Sequence, residues 1–166
     1  MILLATKVGA ALQSHGMMLA TAESCTGGGV ASAVTEISGS SGWFDRGFVT
    51  YSNQAKVDML GVSPDTLARF GAVSEATVRE MVAGALRRSQ AQIAQIALAV
   101  SGIAGPAGGT AEKPVGTVWF AWGIKDSVSV ARMHQLAGSR AEIRAQAVHI
   151  ALQGVLELLG KKTETA

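Results

Sequence analysis

The segment Ile93-Ala94-Gln95-Ile96-Ala97-Leu98-Ala99-Val100 is apolar at every position but one. A strand with no polar face has no side to turn to water, so it reads as a central parallel strand covered on both faces. This run constrains the fold more than any other segment. It requires a layer above and a layer below, and the rest of the chain must supply them.

Residues 1–15 have a helical pattern, with Leu4, Val8, Ala11 and Leu12 on one face and Gly16 as the stop. Residues 17–22 read as a first buried strand. Gly27 to Ile37 reads as a second helix, ended by Ser38-Gly39-Ser40-Ser41-Gly42. Residues 43–51 have strand composition. Asn53 to Leu60 forms a short helix closed by Gly61, and Ser63-Pro64-Asp65 starts another, with Pro at the first helical position. Gly71-Ala72-Val73-Ser74 is a connector in which Ser74 serves as an N-cap. The helix from Glu75 to Ala91 places Val78, Met81, Val82, Ala85 and Leu86 on one face.

After the apolar run comes the loop 101–114, with four glycines and two prolines, a length that in compact domains usually serves function. Val115 to Trp122 is another buried strand. A turn at Gly123-Ile124-Lys125-Asp126 returns residues 127–136 antiparallel. Gly138-Ser139-Arg140 opens the last helix, where Ser139 and Glu142 have capping-box spacing and Val148, Leu152, Val155 and Leu159 form the buried face. The tail 161–166 is polar and is expected to fray. This alternation predicts an α/β chain: a single three-layer α/β/α domain spanning 1–166, around a mostly parallel, mixed sheet of about five strands.

Composition removes several function classes. With 166 residues and 48% hydrophobic content, one domain can bury a sizeable core. A net charge of +2 with no basic, aromatic-interleaved stripe argues against nucleic acid as a partner. One cysteine, Cys25, excludes an internal disulfide and fits a reducing, cytoplasmic setting. No membrane-spanning run or secretory signal is evident. No His, Cys or carboxylate pair has metal-ligand spacing, and loop 101–114 lacks the Gly-Lys-Ser/Thr ending of a P-loop, so no metal and no cofactor are expected.

In open parallel sheets, ligands bind beyond the carboxyl ends of the strands. Beyond the first strand lies Glu23-Ser24-Cys25-Thr26-Gly27-Gly28-Gly29, three candidate nucleophiles before three glycines. A helix starting there would aim free N–H groups at an anion or an oxyanion. Beyond the second strand come Tyr51, Ser52, Asn53 and Lys56; beyond the apolar run come Ser101 and Gly102. If the three strands are parallel, these segments share one rim. A lysine whose pKa is lowered by desolvation can deprotonate a serine, an established alternative to a Ser–His–Asp triad. His15, His134 and His149 are poorly placed for such a triad. Each residue also has a plain structural reading: Lys56 as a surface lysine, Tyr51 as a strand aromatic, Ser101 as a turn hydroxyl, Cys25 as a small buried hydrophobe. Arg140 lies in a helix's first turn, where the helix dipole disfavours a cation and an anionic partner would relieve it.

Five segments carry a family resemblance: Ala22-Glu23-Ser24-Cys25-Thr26-Gly27-Gly28, Gly47 to Lys56, Gly71-Ala72-Val73-Ser74, Val100-Ser101-Gly102-Ile103-Ala104-Gly105-Pro106 and Lys113-Pro114-Val115-Gly116-Thr117-Val118. Together they resemble the CinA C-terminal domain family, the nicotinamide-nucleotide amidohydrolases, in the stand-alone form without the molybdopterin-binding-like domain of larger members. The resemblance implies deamidation of nicotinamide mononucleotide to nicotinate mononucleotide and ammonia by a bacterial, cytoplasmic homo-oligomer, a dimer being favoured. It implies Ser24 as nucleophile, with Thr26 and Cys25 as competitors, Lys56 as base, and Tyr51 bonded within that cluster. Gly27, Gly28, Asn53, Ser101, Gly102, Gly105 and Arg140 are the expected substrate contacts. Oxyanion donors are expected near Thr26 to Gly28 or around Ser101 and Gly102, and the 5′-phosphate is expected at the 101–114 loop and Arg140. An amidase for another small amide, or a competence- or damage-related protein-binding domain, is the alternative.

Overall fold

The computed structural model describes residues 1–89 and 93–164. In chain order the elements are α1 (Ile2–Ser14), β1 (Leu19–Glu23), α2 (Gly29–Thr35), a 3-10 turn (Ser40–Gly42), β2 (Phe44–Val49), α3 (Asn53–Leu60), α4 (Pro64–Phe70), α5 (Glu75–Arg88), β3 (Ile96–Gly102), β4 (Thr117–Ile124), β5 (Val130–Gln135) and α6 (Arg140–Glu164). The sheet order is β2-β1-β3-β4-β5. β1 pairs parallel with both β2 and β3, and β4 pairs antiparallel with β3 and β5. Only β4 therefore runs against the other strands, and the sheet is mixed as expected.

The apolar run is the middle strand, and its two faces differ in size. Ile96, Leu98 and Val100 belong to one core with Val8, Leu12, Val30, Ile143 and Leu152 of α1, α2 and α6. Ala97 and Ala99 belong to the other, with Val78, Met81, Val82 and Ala85 of α5. Alanines on that face let α5 lie close to the sheet. On β1, Ala20 and Ala22 face the α5 side in the same way.

Local signals set most boundaries. Ser52 Oγ accepts the Ala55 N–H at 3.0 Å at the start of α3, and Ser74 Oγ accepts the Thr77 N–H at 3.2 Å at the start of α5. Ser139 and Glu142 form the capping box: the Ser139 N–H donates to Glu142 Oε2 at 2.7 Å, and the Glu142 N–H donates to Ser139 Oγ at 3.4 Å.

Several boundaries differ from expectation, among them β4, which runs Thr117–Ile124 where 115–122 was expected. α2 starts at Gly29 because Gly27 (φ +58°) and Gly28 (φ +93°) are left-handed. β1 extends to Glu23, and β3 runs to Gly102, so the following loop is 103–116. α5 ends at Arg88; the expected extension to Ala91 reaches residues outside those described. α6 continues to Glu164 instead of fraying from Lys161, and the last two residues lie outside the described range.

One close approach fixes where α3 sits. A Cβ at Gly84 of α5 would collide with the Leu60 carbonyl oxygen at the end of α3, a backbone atom that cannot rotate away. Gly84→Val is expected to destabilise the protein by about 1–3 kcal/mol through overpacking. A thermal melt of that variant, with a matching drop in midpoint, is the check; an unchanged midpoint would contradict the packing.

Candidate active site

The three parallel strands bring their following segments to one rim, and a pocket of about 230 Å³ opens there. It is lined by Ser24 and Cys25 after β1, Tyr51, Asn53 and Lys56 around the start of α3, and Ser101, Gly102 and Ala104 at the end of β3. Arg140 and the connector residues Ala72 and Val73 complete the lining. Among the described residues, no group of three or more His, Cys, Asp or Glu side chains could hold a metal ion.

Lys56 puts a primary amine into this wall. It is 1% exposed. Its Nζ lies 3.1 Å from Ser24 Oγ and donates to the Thr50 carbonyl oxygen at 3.0 Å. Burial in the protein lowers its pKa from the ordinary 10.5, because a charged amine loses its hydration there. The nearby Cys25 acts in the opposite direction, more weakly. A neutral amine that gives one N–H to a carbonyl retains a lone pair, which can face a serine hydroxyl.

Ser24 is held at the site by its backbone. Its N–H donates to the Val100 carbonyl oxygen at 3.0 Å, joining β1's end to β3. Its own carbonyl oxygen accepts the Gly27 N–H at 3.0 Å, closing a tight turn. Behind the turn, the Glu23 carboxylate is fully buried and collects four donors: Thr26 Oγ1 at 2.7 Å, Val30 N at 2.8 Å, Ala31 N at 3.0 Å and Thr21 Oγ1 at 3.4 Å. On the outer side, Arg144 of α6 donates from Nε to the Cys25 carbonyl oxygen and from a terminal nitrogen to that of Thr26, both at 3.1 Å.

These contacts redistribute several expected roles. Thr26 is outside the pocket lining, and its hydroxyl is bonded to Glu23. The α2 N-terminus is occupied by Glu23, so its first free N–H groups are not available to an oxyanion. Gly27 and Gly28 also lie outside the lining and serve the left-handed turn. Tyr51 is 60% exposed at the rim, and its hydroxyl accepts from Arg140 at 3.0 Å rather than joining Ser24 and Lys56. Arg140 also donates to the Gly105 carbonyl oxygen at 2.8 Å; Gly105 touches the site only through this contact. Asn53, Ser101, Gly102 and Arg140 do line the pocket.

Cys25 lines the pocket and packs into the core. Burial pushes its thiol up to about 11, against the weaker pull of its own backbone N–H and of the Arg144 charge. Ala72 and Val73 were not expected in the wall. Their signal was the connector before Ser74, part of the family resemblance but assigned no role. Arg144 carries no sequence signal of this position; nothing in its local sequence marks the two carbonyls it reaches from more than a hundred residues away.

The comparisons with known proteins agree with this architecture. The CinA C-terminal domain matches residues 2–159. The chain is 54% identical over 153 residues to the nicotinamide-nucleotide amidohydrolase PncC of Enterobacter agglomerans, covering 92% of each chain. It is 53% identical over 150 residues to the protein of the same name from Escherichia coli strain K12, covering 90% of this chain and 89% of that one. The crystal structure of the competence/damage inducible protein CihA from Agrobacterium tumefaciens superposes with a TM-score of 0.88 at 49% identity, over 93% of each chain. The chain, with its pocket at the parallel strand ends, belongs to the CinA C-terminal domain family.

Proposed function

We propose that this protein hydrolyses the carboxamide of nicotinamide mononucleotide to nicotinate mononucleotide and ammonia, by a Ser/Lys mechanism, in pyridine-nucleotide recycling. The observation that carries the reading is the buried Lys56 amine 3.1 Å from Ser24 Oγ in the wall of a pocket. The named activity of relatives over half identical supplies the substrate. The same reading carries a cytoplasmic homo-oligomer, a dimer first, which sedimentation would measure.

In this scheme Ser24 Oγ attacks the carboxamide carbon while Lys56 Nζ takes its proton. The tetrahedral intermediate collapses as Lys56 returns that proton to the departing ammonia, leaving a nicotinoyl ester on Ser24. Water then attacks the ester, with Lys56 taking and returning a proton, and Ser24 is regenerated. Backbone N–H groups near Thr26 to Gly28 that the turn leaves unbonded, or those around Ser101 and Gly102, stabilise the oxyanion. Thr26, bonded to Glu23, supports the turn in this scheme. Arg140 and Tyr51 sit at the mouth, where the ribose 5′-phosphate extends. Arginine suits that end because its guanidinium is planar, multiply donating and always charged.

Ser24→Ala is expected to abolish ammonia release while keeping the fold. Lys56→Arg keeps a long nitrogen-bearing side chain but, always protonated, provides no base, and turnover is expected to fall by about 10²–10⁴-fold, the usual worth of general acid–base catalysis. Full activity in folded Ser24→Ala would remove the nucleophile assignment; near-normal turnover in Lys56→Arg would remove the base.

The pH dependence follows from the direction of the Lys56 shift. Only the neutral amine accepts a proton, so activity rises with pH as Lys56 deprotonates. Because burial lowers its pKa, the rise is centred below 10.5. A kcat/KM profile with no lysine-dependent limb below that value would contradict the scheme.

Arg140→Ala is expected to raise KM for the mononucleotide by about 10–100-fold, matching the ~1.5–3 kcal/mol of a charged hydrogen bond. KM for the unphosphorylated riboside should hardly change. Equal losses on both substrates would separate Arg140 from the phosphate.

A further inference from the structure

We infer that Arg144 is a positioning residue for the reaction, locking the nucleophile turn so that the Cys25 N–H is presented as an oxyanion donor. This rests on the reading of Ser24 as the nucleophile.

The geometry starts with peptide planes. Across a trans peptide, the carbonyl oxygen of one residue and the N–H of the next point in opposite directions. The Ser24 carbonyl is turned toward the Gly27 N–H, so the Cys25 N–H is directed away from the inside of the turn. Among the described residues the Cys25 N–H donates to no other residue, its one contact being its own thiol, and Cys25 lines the pocket beside Ser24. An N–H directly after the nucleophile is where a strand-turn-helix nucleophile elbow places one oxyanion donor.

The Ser24–Gly27 hydrogen bond sets the plane that carries the Cys25 N–H, and that plane holds only as long as the two peptides after it stay in place. Gly27 and Gly28 follow it in left-handed conformations, and glycine gives the backbone freedom to rotate. Arg144 removes that freedom. Its guanidinium spans the carbonyl oxygens of Cys25 and Thr26, two successive peptides, at 3.1 Å each. Glu23 fixes the opposite side through Thr26 Oγ1 and the first turn of α2. The turn is therefore clamped between a carboxylate on β1 and a guanidinium on α6.

Charge adds to position. Arg144 has no carboxylate partner in an ion pair among the described residues. Its positive charge acts on the Cys25 side chain, which lies in the pocket wall. A permanent cation behind the turn favours negative charge developing in front of it. Arg144 itself is not in the lining, so it makes no contact from the pocket wall.

That separation makes the role measurable. Arg144→Gln keeps donors but loses the charge and the two-pronged reach. Arg144→Lys keeps the charge and reaches one carbonyl. Both are assayed with nicotinamide mononucleotide, alongside thermal melts and Ser24→Ala. The expected result is a kcat lowered about 10–100-fold in Arg144→Gln, with KM changed less than about twofold, and intermediate kcat in Arg144→Lys. Inhibition by pyridine-3-boronic acid, which forms a tetrahedral adduct on a serine, should weaken in step with kcat. A purely structural residue would lower the melting point and the active fraction without loosening that adduct in the enzyme that remains folded.

A kcat within twofold of the parent in folded Arg144→Gln overturns the inference, as does a loss confined to KM or boronate inhibition of unchanged strength. If Arg144→Gln fails to fold, the Arg144→Lys comparison decides by the same criteria. Full activity in folded Ser24→Ala would instead overturn the underlying mechanism, whatever Arg144 does. An inactive Ser24→Ala with a fully active Arg144→Gln leaves that mechanism standing and removes only the role given to Arg144.

Discussion

A primary amine buried to 1% exposure is the constraint around which the active end of this fold is arranged. Placing a charged ammonium there would be costly, and burial instead favours the neutral form. The surrounding structure makes the neutral form useful. The Thr50 carbonyl takes one N–H, and Ser24 Oγ stands at hydrogen-bond distance. The amine reaches this point because α3 begins immediately beyond the end of β2, and α3 is in turn pressed against α5 at the Gly84–Leu60 contact. The burial of Lys56 therefore goes with the packing of α3 on α5, one helical turn along from the amine.

The second buried charge has the opposite solution. Glu23 is surrounded by donors, and its two oxygens take hydroxyls from Thr21 and Thr26 and backbone N–H groups from α2. A carboxylate at a helix N-terminus is favoured by the helix dipole as well as by the hydrogen bonds. This explains why a charged residue can end a fully buried strand. It also explains why the helix following the glycines does not act as an anion site: its free donors are already used by the chain itself.

Most of the fold was legible because its signals are local. Ser52, Ser63-Pro64, Ser74 and the Ser139–Glu142 pair mark helix starts within a residue of where they occur. The apolar run 93–100 marked the central strand, and the common direction of β1, β2 and β3 brought Ser24, Lys56 and Ser101 together as the sequence suggested. The misplacements have non-local causes. Glu23 looked like a loop residue because the sequence does not display the α2 N–H groups that neutralise its burial. Tyr51 was read into the Ser–Lys cluster, but its hydroxyl is engaged by Arg140, a residue 89 positions away. Arg144 looked like solvated charge because its acceptors are carbonyls, which every residue has and no side-chain pattern advertises. Ala72 and Val73 carry no chemistry in their side chains, so only shape places them in the wall.

Cys25 shows how the charges around the turn are balanced against one another. Its thiol is acted on by Arg144 and Lys56, which favour ionisation, and by Glu23 and burial, which oppose it; burial dominates and pushes the pKa up to about 11. The coupling is mutual, since an ionised Cys25 would raise the pKa of Lys56. A thiolate beside the lysine would thus favour the ammonium form, which in the proposed mechanism is unable to accept the Ser24 proton. Keeping the thiol buried and protonated leaves Lys56 free to be neutral. In the proposed mechanism an intrinsically stronger nucleophile therefore sits next to the serine without displacing it, because burial favours the neutral form of both the thiol and the amine.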